Sequence, residues 1–169
     1  MDTNTRRKNV LQEIMESQKP ISASEIAKKL NVSRQVIVGD VAILRAKGNE
    51  ILATARGYII EKSKTNNYKV ACFHKPSETK QELYTIVDLG ATVVDIIIEH
   101  EIYGDITGNL NLSSRKDVDD FLEKVKSSGA KLLSELTLGV HLHTISCKDK
   151  DHFNQVYQAL NDKNFLITD

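Results

Sequence analysis

Tryptophan is absent from this chain of 169 residues, proline and cysteine occur twice each, and aromatic residues make up 5% of it. Few rigid recognition platforms are therefore available. Two cysteines, Cys72 and Cys147, are too few for a disulfide framework. No apolar run reaches the roughly 18 residues that crossing a bilayer requires, which excludes a helical membrane span. The first residues also lack the apolar core of a secretory signal. These absences together lead us to expect a cytoplasmic protein in a reducing compartment. Net charge is missing too, with 23 Lys/Arg against 23 Asp/Glu. The balance hides an asymmetry: residues 1–66 hold 12 basic and 7 acidic residues, and residues 67–169 hold 11 and 16. A basic head on an acidic body is expected where only the head meets phosphate.

What is present is ordinary globular material, 40% hydrophobic and 27% charged, in a length that suits one large or two small domains. The first third reads as a helix-turn-helix. A helix is expected from Ser24 to about Leu30, a turn at Asn31-Val32, and a second helix capped by Ser33, whose hydroxyl accepts a first-turn N–H. Ile26, Ala27, Leu30, Val32, Ile37, Val41 and Leu44 fall on facing stripes. That leaves Ser33, Arg34, Gln35 and Val38 pointing outward at the start of the second helix, where side chains reach base edges in the major groove of double-stranded DNA. A preceding helix spans Arg6 to Ser17 and is stopped by Pro20. Residues 51–60 form two apolar runs around Arg56-Gly57, a β-hairpin with Arg56 at its tip, placed to approach phosphate or the minor groove. Three helices and a hairpin make a winged helix over residues 1–62. Gly39, inside the second helix, costs about 1 kcal/mol relative to Ala. It lets the backbone approach DNA or a neighbouring helix, or it is a tolerated weakness.

Ser63-Lys64-Thr65-Asn66-Asn67 is short and polar, a fair linker. Residues 67–169 then mix strands with amphipathic helices. Strands are expected at Tyr68–His74, Thr92–Glu99, Thr137–Cys147 and, briefly, Phe165–Thr168. Helices are expected from Pro76 to near Gly90, from Ser114 to about Ser128, and from Asp149 or Asp151 to about Leu160, with a loop around Tyr103-Gly104. The fold class is α+β, an α/β sandwich of one sheet with helices on one face.

His141-Leu142-His143 lies within a strand, so both imidazoles share a face, about 6.6 Å apart along the chain. Such a pair can converge on a metal or serve as structural histidines. His74 at a strand end and Glu82 on the next helix add a third imidazole and a carboxylate. Three His and one Glu suit a divalent transition metal such as Zn, Ni, Co or Fe, although spacing alone does not bring the segments together. Cys72, two residues before His74 on the same strand face, is either a competing ligand or a small buried hydrophobe. Cys147 is about 13 Å along the strand from His143, too far to share an ion. His152 reads as a surface helix residue. His100 is either a solvated loop residue or an effector contact.

Residues 5–61 resemble the winged helix-turn-helix of biotin-ligase-type repressors. Phe73-His74-Lys75-Pro76, Glu82 to Asp88, Tyr103-Gly104-Asp105-Ile106, Ser114 to Val118 and Leu136 to His143 together resemble the 3H domain. A winged helix followed by a 3H domain is similar to the niacin-responsive transcriptional repressors of bacteria, which control NAD biosynthesis and niacin uptake. That resemblance implies operator DNA as partner, nicotinic acid as co-repressor, a homodimer, and a divalent metal held by His74, Glu82, His141 and His143. His100 and Tyr103 are the candidate effector contacts. The chain departs from the family pattern at Glu101, where Pro is expected, and at Gly139, where Asp is expected. A metal-dependent hydrolase with a DNA-binding head is the competing class, but no nucleophile motif, base or Gly-rich phosphate loop supports it. We expect no enzymatic activity. A metal-sensing repressor, with the ion itself as effector, is the alternative within the repressor class.

Overall fold

The computed structural model describes residues 2–60 and 66–168. The chain divides into two units, Met1–Ser63 and Lys64–Asp169. Of the expected linker, Ser63, Lys64 and Thr65 lie outside the described residues. Asn66 and Asn67 are already strand, paired with Cys147 and Ser146.

In the first unit, helix α1 spans Thr3–Glu16, three residues longer at its start than expected, because Asp2 caps it by accepting from the N–H groups of Asn4 and Thr5. Helix α2 (Ala23–Leu30) opens with a capping box: Ser22 Oγ accepts from Glu25 N at 3.1 Å, and the Glu25 carboxylate accepts from Ser22 N at 2.9 Å. Asn31 ends the helix in the left-handed region, and Ser33 caps helix α3 (Arg34–Ala46), accepting from Val36 N at 3.3 Å. Strands β1 (Ile51–Thr54) and β2 (Gly57–Ile60) form the hairpin. Ile21, just after Pro20, makes a single-residue bridge to Tyr58 that the sequence pattern does not announce. Val10, Ile14, Ile26, Ile37, Val41, Leu44 and Ile51 close the core. Asp40, 3% exposed, holds α1 onto α3 through Arg6 and Arg7.

The second unit is a four-stranded antiparallel sheet in the order β3-β6-β4-β5, from strands β3 (Asn66–Phe73), β4 (Thr92–His100), β5 (Gly104–Leu112) and β6 (Val140–Cys147). Helices α4 (Thr79–Asp88) and α6 (Lys150–Asp162) pack on one face, and α5 (Arg115–Ser128) lies beside α4. Strand β5 replaces the loop expected after β4: only residues 101–103 turn. The expected last strand is reduced to a bridge, Cys72 with Leu166, in which Phe73 N–H donates to Phe165 O and Ile167 N–H to Ala71 O. His152 is no idle surface residue. Its Nδ1 accepts from Lys148 N at 3.0 Å, and its Nε2–H donates to Leu89 O at 2.7 Å, tying α6 to the end of α4.

Candidate metal centre and nucleic-acid face

Alternation along β6 turns His141 and His143 toward the helices, and the β3–β6 register sets Cys72 opposite His141 and Val70 opposite His143. His74 follows β3 directly. From the other layer, α4 presents Thr79, Glu82, Leu83 and Ile86, all buried, at helical spacing. Glu82 is the charged member of that stripe and is 0% exposed. Its Oε2 meets His74 Nε2, and its Oε1 lies 3.0 Å from His141 Nε2 and 2.9 Å from His143 Nε2. The four residues expected to share an ion are thus brought together around one carboxylate.

The far side of each ring fixes its chemistry. His74 Nδ1 is 2.9 Å from Lys75 O, His141 Nδ1 is 2.8 Å from Gly139 O, and His143 Nδ1 is 2.8 Å from Asp95 O. A carbonyl oxygen only accepts, so each Nδ1 carries a proton, and a ring that is neutral turns its Nε2 lone pair inward. This is the outer-shell arrangement that metal-ligating histidines use. Three lone pairs around a carboxylate repel unless a cation lies among them or the rings take up protons. His143 Nε2 is buried without a hydrogen-bond partner, its approach to Glu82 being close but misaligned. An orphaned buried nitrogen in a three-imidazole, one-carboxylate set fits a divalent transition metal. Thr79 Oγ1, one turn before Glu82, is likewise buried and unpartnered.

The same carboxylate also draws protons onto the rings, a charge that a bound cation would replace. Burial opposes the charge of Glu82, yet the imidazoles, His143 foremost, hold its carboxyl well below the usual range. Burial also opposes imidazolium at His74 and His143, and Glu82 overrides it, so both titrate above the ordinary histidine value. Burial, reinforced by Glu82, pushes the Cys72 thiol up.

Three positioning features carried no side-chain signal in the sequence. The β4 register shifts between Val93 and Asp95, and this bulge aims the Asp95 carbonyl at His143 while its carboxylate accepts from Thr144 N at 3.0 Å. Gly139 adopts φ +102°, and a Cβ there would lie 2.6 Å from the His74 carbonyl oxygen. The chain's departure from the family's Asp thus falls where the backbone suits glycine. The Lys75 carbonyl is backbone.

His100 and Tyr103 do not join this cluster. They sit in the β4–β5 turn, rings 5.1 Å apart, and His100 Nδ1 accepts from the N–H groups of Ile102 and Tyr103. Tyr103 is 77% exposed. Their neighbours Glu99 and Asp105 line a cleft of about 360 Å³ with Thr137, Ile97, Val140 and Leu142, on the sheet face opposite the imidazole side chains.

In the first unit, Ser33, Arg34 and Gln35 are exposed at the start of α3. Val38 is corrected: it is half-buried and packs against the core, because it falls on the flank of the Ile37–Val41 stripe. Gly39 is exposed, and a Cβ there would meet nothing within 4 Å, so no neighbouring helix of this unit needs the space. Arg56 occupies the hairpin turn, where its N–H donates to Thr54 Oγ1 at 3.1 Å.

Both units match known families. The model of an HTH domain matches residues 6–59, and that of the 3H domain matches residues 67–169. The chain is 43% identical over 169 residues to Transcription repressor NadR of Bacillus subtilis (strain 168), covering 97% of this chain and 94% of that protein. It is 39% identical over 163 residues to Probable transcription repressor NiaR of Thermotoga maritima, covering 96% and 93%.

Proposed function

Because the chain belongs to the family of transcription repressors that join an HTH domain to a 3H domain, we propose that its 3H domain reads nicotinic acid with the help of a divalent transition metal. It is a DNA-binding regulator and not an enzyme. The observation that carries the effector reading is the convergence of three Nδ1-anchored imidazoles on buried Glu82, with His143 Nε2 left unpartnered.

His74, Glu82, His141 and His143 would hold the ion, which supplies a positive charge that an aromatic carboxylate seeks. The protein residues do the rest. Lys75, Gly139 and Asp95 carbonyls keep the rings in register. The cleft walled by Ile97, Val140 and Leu142 lies on the other face of the sheet, away from the imidazole side chains. His100 and Tyr103 frame the β4–β5 turn at its outer end. The working species is a homodimer. The sheet face opposite α4 and α6 exposes Phe73, Val140 and Leu142, an apolar surface that a second copy of this chain would cover. Two copies would present recognition helices to two half-sites about one DNA turn, roughly 34 Å, apart. Effector binding would favour one dimer arrangement.

The deciding experiment measures operator binding by the full chain with metal saturating and nicotinate varied. Nicotinate should tighten binding, and nicotinamide, which has no charge to give the cation, should do so far less. Equal responses to acid and amide overturn the carboxylate reading. If neither acts and operator affinity follows metal concentration alone, the ion itself is the effector.

A further inference from the structure

We propose that Cys72 is a fifth donor of the same centre, its sulfur joining His141 and Glu82 on the ion. The inference rests on the metal reading above.

Cys72 stands directly opposite His141 in the β3–β6 ladder. Residues paired across a ladder share a face, so its side chain projects with the imidazoles toward α4. Its Sγ, a Glu82 oxygen and a His141 nitrogen all lie within 4.8 Å of one another. Two donors to one ion stand no farther apart than the sum of their bond lengths, about 4.4 Å for sulfur plus imidazole nitrogen on zinc. That limit holds for sulfur and nitrogen on opposite sides of the ion, and at tetrahedral angles the sulfur has to close by roughly 1 Å. The second observation is independent. His143 Nε2, in a residue 1% exposed, has no hydrogen-bond partner and faces the same carboxylate. A cation among these atoms would satisfy it. Neither cysteine is in a disulfide, and the Cys72 thiol already meets the Glu82 carboxylate.

Sulfur changes the selectivity of the site. Three imidazoles and a carboxylate accept most first-row divalent ions, whereas a thiolate favours zinc, iron and cobalt over magnesium and manganese. As the sulfur–metal bond forms, the thiol proton leaves to solvent and Cys72 binds as thiolate.

The test uses the full chain, stripped with a chelator and titrated with one equivalent of cobalt(II). The wild type should show a sulfur-to-cobalt charge-transfer band in the near ultraviolet beside the visible ligand-field bands. Cys72→Ala should keep stoichiometric cobalt and the visible bands, lose the near-ultraviolet band, and bind the ion about tenfold more weakly. Cys147→Ala should keep that band. Wild-type protein that takes up cobalt without a charge-transfer band overturns the sulfur ligand and leaves the four-residue centre standing. Wild-type protein that takes up no cobalt overturns the metal reading itself. The wild-type spectrum alone decides the question if Cys72→Ala folds poorly, and Cys72→Ser supplies a closer steric match.

Discussion

A neutral histidine has two nitrogens and one proton, and for His74, His141 and His143 the backbone decides which nitrogen keeps it. Each Nδ1–H is committed to a carbonyl, so each Nε2 is spent inward on the space around Glu82. Removing two of the rings should therefore empty the site. Elemental analysis of the purified His141→Ala/His143→Ala double variant should show loss of the roughly stoichiometric metal that we expect in the wild type. Its far-ultraviolet circular dichroism should survive, because Leu83, Ile86, Val93, Ile98, Ile145 and Val156 keep the apolar core of this unit. Stoichiometric metal in that variant would remove these residues as ligands. Asp40 shows the opposite use of a buried carboxylate. Arg6, then Arg7, hold its carboxyl below the usual value although burial opposes them. A depressed carboxylate stabilises the fold at every pH above its unfolded value of about 3.9, and that stability disappears as pH falls through the folded value. Asp40→Asn should cost about 1–2 kcal/mol at pH 7, a figure reduced by the partial exposure of both arginines, and should cost progressively less below about pH 4. Urea unfolding at the two pH values measures it.

Helix α3 carries a local weakness that separates stability from DNA contact. Gly39 is exposed, and a Cβ would meet nothing, so Gly39→Ala should raise stability by about 0.5–1 kcal/mol. If the glycine serves a close backbone approach to DNA, the same variant should bind operator more weakly while melting higher. Unchanged operator affinity would make it a tolerated weakness. The helices themselves were legible in the sequence because capping is chemistry between near neighbours: Ser33, Ser114 and Asp149 each cap the helix that follows. Strand β5 was not legible. Gly104-Asp-Ile-Thr-Gly-Asn-Leu-Asn-Leu lacks a β-branched run, and its order comes from pairing with β4. The site was legible in part. Alternation puts His141 and His143 on one face, but His74 and Glu82 reach them only through β3–β6 pairing and the packing of α4, which are long-range facts. The carbonyls of Lys75, Asp95 and Gly139 leave no mark in side-chain identity. Val38 misled because a position on the edge of an apolar stripe reads equally as inside or outside.

A repressor has to find DNA of any sequence before it selects one, and we expect the first unit to divide those tasks between two arginines. Arg6 and Arg7 are engaged by Asp40 inside the unit. Arg34, exposed at the first turn of α3 beside Gln35, is placed to read base edges. Arg56 sits in the hairpin turn, where a cation meets the backbone of the duplex. Arg34→Ala and Gln35→Ala should each cost about 1–3 kcal/mol at the operator and relax the choice of sequence, with little loss on unrelated DNA. Arg56→Ala should weaken operator and unrelated DNA alike, and should make the fall of log affinity with log salt concentration shallower by about one contact. Fluorescence anisotropy on both DNAs across a salt series distinguishes these outcomes. An Arg34→Ala protein with unchanged affinity and unchanged selectivity would mean that the start of α3 does not enter the groove. An Arg56→Ala protein that loses selectivity and keeps its salt slope would make the hairpin a reader of sequence, and the roles of the two elements would have to be exchanged.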